Sequence, residues 1–151
     1  LEPGVEYNIA GMKVACIRQN HPGDSYGYRF QKDGRIVVYS TDSEHKAGGG
    51  EEHDRFLAFF SNADLLIFDA QYSFLDAVDA KENWGHSSNL LGVEMAAAAG
   101  VGRLCLFHNE HTLDDDALDR FLEDTRAYLK ILDGSSRLKI DLAYDGLDIK
   151  L

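Results

Sequence analysis

Histidine and aspartate residues follow several apolar segments of this sequence, at the points where strands are expected to end. The residues concerned are His21, Asp42, Asp69 and His108. If the strands that precede them run in parallel, their carboxyl ends lie at one edge of the sheet, where open α/β sheets bind their ligands. Imidazole nitrogens and carboxylate oxygens suit zinc, manganese or iron. The pattern therefore predicts a metal site built from residues far apart along the chain.

Each of these residues is also compatible with a purely structural role. Asp42 stands in Ser-Thr-Asp-Ser, which is typical of a turn or a helix cap, and Asp69 is equally able to cap the segment that follows it. His21 precedes Pro-Gly as a solvated turn residue would, and His108 follows an apolar run as a buried histidine would. The residue types alone leave both interpretations open.

A further histidine, His86, stands in Trp-Gly-His-Ser-Ser, where a helix is expected to begin. It is either an ordinary helix-entry residue or a group that reaches an anion near the helix N-terminus, where backbone N–H groups point outward. The other histidines have no comparable placement, so we expect His45, His53 and His111 on the surface.

The hydrophobic pattern supplies the elements that would position these residues. Alternating or continuous apolar runs predict strands at 12–18, 26–31, 35–40, 64–69, 103–107, 138–143 and 147–151. A period of 3.6 residues, with capping residues and glycine stops, predicts helices at 51–61, 87–99 and 114–132. Successive strands in the first half predict antiparallel pairs, and strands alternating with helices in the second half predict parallel units. The sum is a mixed-sheet α/β layer structure.

The composition is that of a globular chain. Its 151 residues fit one compact domain or most of one, with 44% hydrophobic and 27% charged residues. Cys16 and Cys105 both lie in apolar runs, so we expect buried free thiols rather than a disulfide framework.

The net charge of −11 argues against some classes of partner. DNA and anionic membranes both need a basic face, so neither is expected to bind. No apolar run approaches the roughly 18–20 residues of a membrane span. No export leader opens the chain, so we expect a cytoplasmic protein. The first residue is Leu1 rather than methionine, which favours a chain that was processed or cut from a longer one.

Six short motifs, taken in order, resemble the later motifs of the metallo-β-lactamase superfamily, and its phosphodiesterase and ribonuclease Z-like branch in particular. They are His21-Pro22-Gly23, Tyr26-Gly27-Tyr28-Arg29, Val38-Tyr39-Ser40-Thr41-Asp42, Asp69-Ala70-Gln71-Tyr72, Trp84-Gly85-His86-Ser87-Ser88 and Leu106-Phe107-His108. The similarity runs from about residue 12 to the C-terminus. It implies an α/β fold in which this chain is the mixed-sheet half of an αββα sandwich.

The resemblance also implies a role for each site residue. His21, Asp42 and His108 match metal ligands, with Asp42 as the residue that bridges two divalent ions. Zinc is the first expectation for these ions, and iron and manganese are alternatives. His86 matches a histidine that contacts the scissile phosphate. Asp69 then stands where an acidic residue orients that histidine, which would fix its tautomer and raise its basicity.

The superfamily signature His-x-His-x-Asp-His, which supplies the other metal ligands, does not occur in this sequence. In the family it lies upstream of the motif that His21 matches. Residues 1–151 therefore resemble the C-terminal half of such an enzyme, and the alternative is a single domain of its own. The missing half would leave strand edges and an apolar sheet face without a cover. We expect it to come from another chain, from a second copy in a homo-oligomer, or from an absent region.

The implied activity is hydrolysis by a metal-bound hydroxide, and a small phosphodiester suits the acidic charge better than a transfer RNA precursor. Other electrophiles, such as lactams and thioesters, stay open as substrates. With only part of each metal site present, we expect weak metal affinity and negligible turnover from the chain alone. The alternatives are a non-catalytic binding or regulatory module that retains half of the fold, or an unrelated small α/β domain.

Overall fold

The computed structural model describes residues 1–73 and 83–151, and the seven strands among them form one sheet in chain order. The strands are β1 Glu6–Ile9, β2 Met12–Arg18, β3 Tyr26–Lys32, β4 Arg35–Ser40, β5 Leu65–Asp69, β6 Arg103–Phe107 and β7 Lys139–Leu142. The helices are α1 Glu51–Phe60, α2 Asn89–Ala98 and α3 Asp115–Leu132. The predicted mixed α/β architecture is confirmed.

The strand directions bring four strand ends to one edge of the sheet. Strands β1 to β4 form an antiparallel meander, and β4 to β7 are parallel, with one described helix in each crossover. Because β2 and β4 both pair antiparallel with β3, β2 runs in the same direction as β4, β5 and β6. The register sets Tyr39 beside Ile67 and Ile67 beside Cys105. The loops that follow these strands therefore start at a similar level.

The hydrophobic core lies between one face of the sheet and the three described helices. Strand residues of this face alternate along each strand and pack against the apolar stripes of the helices. Its buried members include Ile17, Val38, Phe56, Phe60, Leu66, Phe68, Val93, Met95, Leu104, Leu106, Leu129 and Ile140. Helix α2 comes close to the sheet at Gly92, where an added Cβ would lie 2.8 Å from Cδ1 of Phe68.

The opposite face of the sheet is apolar but takes no part in this core cluster. Its residues alternate with the core residues and follow the strand register. They are Val14, Cys16, Tyr28, Phe30, Val37, Tyr39, Leu65, Ile67, Cys105 and Phe107. Tyr39 and Phe107 remain 36% and 39% exposed, whereas Val14, Cys16, Leu65 and Cys105 are buried, so the part of the chain described here covers this face only in part. We call this set of residues the open face.

One strand was missed by the sequence analysis, and one predicted strand does not form. Strand β1 was not expected, because Glu6–Ile9 is a polar edge segment. It pairs with β2 through a turn in which Ala10 and Gly11 both have positive φ. The predicted strand at 147–151 is wrong, because this segment pairs with no described strand and β7 is the last strand of the sheet. The expected buried free thiols at Cys16 and Cys105 are confirmed. Among residues 1–73 and 83–151, no helix combines the length and hydropathy that a membrane span requires.

Candidate metal centre

Asp69 is the fully buried carboxylate around which the site is arranged. It ends β5, and its Oδ2 accepts the backbone N–H of Asp42 at 2.8 Å and that of Ser43 at 3.3 Å. Its Oδ1 accepts the backbone N–H of Gln71 and of Ser87, each at 3.3 Å. The carboxylate therefore ties together the loops that follow β4 and β5 and the segment that leads into α2.

His86 lies against this carboxylate, with 2.8 Å between its Nδ1 and Oδ2 of Asp69. Burial opposes the charged form of the ring, but the hydrogen bond to Asp69 and the negative charges of Asp69, Asp42 and Glu44 outweigh it. The pKa of His86 is therefore raised above its usual range. Because Nδ1 is held by Asp69, the other ring nitrogen, Nε2, is the one left for chemistry at the site.

His108 and Asp42 occupy the loops that follow β6 and β4. Their side chains approach each other, with 3.4 Å between Nδ1 of His108 and Oδ1 of Asp42. The same imidazole nitrogen lies 3.7 Å from Oδ2 of Asp69. Both residues have left-handed backbone, with φ of 62° at His108 and 55° at Asp42. Non-glycine residues adopt this conformation at a cost, and such strain collects at functional sites.

His21 reaches the site from the loop after β2, and glycines shape the space around it. Its ring centroid lies 5.5 Å from that of His86, while the centroids of His86 and His108 are 4.6 Å apart. Its Nδ1 accepts the backbone N–H of Gly23 at 3.1 Å. A Cβ on Gly85 would lie 2.6 Å from Cδ2 of His21, so only glycine allows this close approach.

Ligand atoms of these side chains form two groups that fit a metal ion. His21, Asp42 and His86 each offer an atom within 4.8 Å of the others, and so do Asp69, His86 and His108. Imidazole nitrogens and carboxylate oxygens in one cluster are the donor set of zinc, iron and manganese sites. Both oxygens of Asp69 already accept backbone N–H groups, so Asp69 is better suited to orient a neighbour than to bind an ion.

The residues singled out in the sequence thus meet at one edge of the sheet, whereas the expectation for His45 is wrong. His45 is 7% exposed, and its ring stacks on Phe68 with 5.2 Å between centroids. It is buried because the loop after β4 turns inward and the backbone N–H of His45 donates to Ser87 Oγ at 2.9 Å. His53 is partly buried, and His111 is exposed as expected.

Sequence reasoning missed Glu44, which holds the segment before His86. Its side-chain oxygens accept the backbone N–H groups of Asn83 at 3.0 Å and of Gly85 at 3.1 Å. The only signal in the sequence is an acidic residue two positions after Asp42. That signal does not reveal a contact with a segment about forty residues away, since only the fold brings the two together.

Comparison with known proteins identifies the family. The model of the β-lactamase superfamily domain matches residues 2–109. The chain belongs to the metallo-β-lactamase superfamily. Ribonuclease Z of Thermoplasma acidophilum is 32% identical over 135 residues, which are 83% of this chain and 40% of that protein. The probable metallo-hydrolase YhfI of Bacillus subtilis is 31% identical over 111 residues, which are 73% of this chain and 41% of that protein. This superfamily member therefore spans less than half the length of these curated relatives.

Solved structures share the fold of this metallo-β-lactamase chain. The crystal structure of YhfI from Bacillus subtilis matches with a TM-score of 0.74 and 24% identity, over 97% of this chain and 53% of that one. The short form of human tRNase Z matches with a TM-score of 0.64 and 21% identity, over 95% of this chain and 45% of that one. Zn²⁺-bound PqqB from Methylobacterium extorquens matches with a TM-score of 0.65 and 19% identity, over 100% of this chain and 51% of that one.

Proposed function

We propose that this chain supplies part of the binuclear metal site of a phosphodiester hydrolase. The observation that supports the proposal best is the meeting of four side chains, from four separate loops, at one edge of the sheet. They are His21, Asp42, His86 and His108. The chain belongs to the metallo-β-lactamase superfamily, whose fold implies divalent metal ions, and this membership supports metal binding by the cluster.

In this proposal His21, Asp42 and His108 are the metal ligands of the chain. Asp42 lies 3.4 Å from Nδ1 of His108 and within 4.8 Å of a ligand atom of His21, with 43% of its side chain exposed, and it is the candidate for a bridging carboxylate. Divalent ions held here would act as Lewis acids and lower the pKa of bound water from 15.7 towards about 7. Zinc is the first choice of ion, and iron and manganese are alternatives with the same donor set.

His86 is proposed as the residue that meets the substrate, and Asp69 as its positioning residue. Because Asp69 holds Nδ1, the Nε2–H of His86 is free to donate to a phosphoryl oxygen or to the leaving group. The raised pKa of His86 favours the protonated ring, which is the form that donates. The backbone N–H groups that Asp69 accepts keep its carboxylate in place while His86 acts.

The domain proposal follows from the open face. A partly covered sheet face on which Tyr39 and Phe107 are exposed is the kind of surface that a second sheet buries in a sandwich. The chain also spans only 40% and 41% of its first curated relatives. We propose that a second half carries the remaining metal ligands and packs on this face. A separate segment, a partner chain or a second copy would provide it.

A small phosphodiester is the proposed substrate. The cleft of about 320 Å³ beside His21 is lined by Glu44 and Glu52 as well as Lys46, so it carries no excess of positive charge for a long polyanion. The net charge of −11 opposes RNA docking in the same way. The relatives named ribonuclease Z make RNA the alternative that the experiment must address.

Metal binding and hydrolysis test the proposal in two steps. Zinc should bind the purified chain weakly in calorimetric titrations, and D42N or H108Q should abolish that binding while H111Q, at an exposed histidine, leaves it unchanged. Bis(p-nitrophenyl) phosphate should be hydrolysed only when the chain is joined to a half that carries His-x-His-x-Asp-His. Metal-dependent turnover by the chain alone would contradict the half-site proposal. Binding that survives D42N and H108Q together would contradict the assigned ligands.

A further inference from the structure

Glu44 is a largely buried carboxylate whose two oxygens accept two different backbone N–H groups. Its Oε1 accepts the N–H of Asn83 at 3.0 Å and its Oε2 accepts that of Gly85 at 3.1 Å, and only 12% of the side chain is exposed. Both partners have left-handed backbone, with φ of 66° at Asn83 and 90° at Gly85. Backbone N–H groups that converge in this way favour an anion between them. The carboxylate therefore fixes the backbone on both sides of Trp84, and we call this pair of hydrogen bonds the Glu44 clamp.

The residue that forms the Glu44 clamp also joins the loop after β2 to the loop after β4. The backbone N–H of Glu44 donates to the carbonyl of Asn20 at 2.8 Å, and the side-chain amide of Asn20 donates to the carbonyl of Glu44 at 3.1 Å. Asn20 directly precedes His21. Nζ of Lys46 donates to Oδ1 of Asn83 at 3.1 Å. Three segments that carry residues of the candidate metal centre are thus held together around one carboxylate.

The segment that the Glu44 clamp fixes packs directly against His21. An added Cβ on Gly85 would lie 2.6 Å from Cδ2 of His21 and 2.6 Å from Cδ of Pro22. The next residue is His86, whose Nδ1 lies 2.8 Å from Oδ2 of Asp69 and whose ring centroid lies 5.5 Å from that of His21. A shift of Gly85 would therefore change the separation between His21 and His86.

The ion pair between Glu44 and Lys46 does not account for this arrangement. Nζ of Lys46 lies 3.9 Å from Oε1 of Glu44, and 60% of the Lys46 side chain is exposed. Ion pairs of this kind contribute little to stability. The hydrogen bonds from Asn83 and Gly85 are shorter and end on a largely buried carboxylate, so their loss would leave backbone donors without an acceptor. Glu44 therefore acts on the position of the segment more than on the charge around it.

We propose that Glu44 is a positioning residue of the metal centre. By holding the N–H groups of Asn83 and Gly85, it sets the separation of His21 and His86, and with it the affinity of His21 for a metal ion and the reach of His86 towards a substrate. These two effects rest on the proposed function, whereas the clamp and its hold on the two rings do not.

Amide hydrogen exchange, histidine-selective ¹⁵N NMR and zinc titration on the purified chain test the proposal. E44Q keeps the length of the side chain but has one acceptor oxygen, so the N–H of Asn83 or that of Gly85 should exchange faster by about tenfold or more. The ring signals of His21 and His86 should shift, and the zinc affinity should fall by roughly tenfold. Ring signals and zinc affinity that stay unaltered while exchange becomes faster would show a purely structural staple and overturn the proposal.

Two further variants separate position from charge. E52Q removes the same charge from a residue that lines the same cleft beside His21, and it should change none of the three measurements. E44D keeps the charge, but its side chain is one methylene shorter and should not reach both N–H groups, so it should lose as much zinc affinity as E44Q. Full affinity in E44D would assign the effect to charge and overturn the proposal. E44D also takes the place of E44Q if that variant does not fold.

A double variant shows whether Glu44 acts through Gly85. E44Q and G85A together should reduce the zinc affinity no further than the stronger single variant, because both act through the contact with His21. Effects that multiply would show two independent routes and overturn the proposal. If zinc does not bind the unaltered chain, the proposed metal site fails, whereas the ring signals of His21 and His86 still decide whether the Glu44 clamp positions them.

Discussion

Nδ1 of His86 and the backbone N–H of Asp42 both lie 2.8 Å from the same oxygen, Oδ2 of Asp69. One buried carboxylate therefore positions both the proposed substrate-binding histidine and the loop of the proposed bridging ligand. The two roles are coupled, because a movement of Asp69 shifts both groups.

D69N should destabilise the protein and disturb His86. Both carboxylate oxygens of Asp69 accept N–H groups, but an amide has only one acceptor oxygen. The NH₂ group of the asparagine would therefore face backbone N–H donors and leave them without an acceptor, which costs about 1–3 kcal/mol. Urea denaturation should show this loss, and ¹⁵N NMR should show a changed tautomer of His86. D119N, at an exposed position of α3, is the control and should change neither. An unaltered free energy of unfolding in D69N would contradict the role given to this carboxylate.

G85A should weaken zinc binding by moving His21. The added Cβ would lie 2.6 Å from Cδ2 of His21, and φ at Gly85 is +90°. G146A is a matched control, because φ there is +92° and no heavy atom lies within 4 Å of the added Cβ. Both variants share the backbone strain, but only G85A should reduce the zinc affinity, by roughly 10–100-fold as for other changes around metal ligands. Equal affinities in calorimetric titrations would show that the contact does not position His21.

The open face should make the isolated chain bind apolar dyes and associate with itself. Replacing Tyr39 and Phe107 by threonine removes two large, partly exposed rings whose centroids are 6.1 Å apart. Each large apolar side chain is worth about 1.5–3 kcal/mol when buried, so dye fluorescence and self-association in sedimentation should both fall. I131T, at a side chain that is 83% exposed on α3, should have little effect. A monomer that binds no dye before mutation would contradict the need for a cover.

Acidification should destabilise the protein through His45. Its folded-state pKa of about 3 lies below the ordinary value of 6.5, so the unfolded chain takes up the proton first as the pH falls. Stability is therefore fully present above pH 6.5 and declines below it, by up to about 1.4 kcal/mol per pH unit. His86 has a raised pKa, so its contribution changes above pH 6.5, outside this window. The free energy of unfolding, measured by urea denaturation at several pH values between 6.5 and 5, should fall less steeply with decreasing pH in H45F than in H111Q.

The sequence was enough to predict most of the fold, because its strongest patterns are local. The helix at Asp115–Leu132 and the strands at Leu65–Asp69 and Arg103–Phe107 show clear apolar periods, and the structure places them within a residue or two of the expectation. Strand β1 escaped prediction because Glu6–Ile9 is a polar edge strand, with its stability derived from pairing with β2. A segment whose structure depends on a partner carries little signal of its own.

The candidate site was predictable to the extent that its residues follow strands. Asp42, Asp69 and His108 come after parallel neighbours, so the topology alone brings them to one edge. The burial of His45 was not predictable from the sequence, because it depends on contacts with Ser87 and with the ring of Phe68. Both residues lie more than ten positions away from His45 in the sequence. The need for glycine at position 85 was likewise not predictable, because it arises from the close approach of the ring of His21.

The left-handed backbone at Asp42 and His108 carries a consequence for how sequence change would act on this protein. Glycine adopts this conformation without a steric penalty, so a glycine at either position would relieve strain of up to about 1 kcal/mol while it removes a proposed ligand. Selection for robustness and selection for chemistry thus oppose each other at the same two positions. In a lineage that no longer needed the proposed reaction, we expect glycine to replace these two residues first.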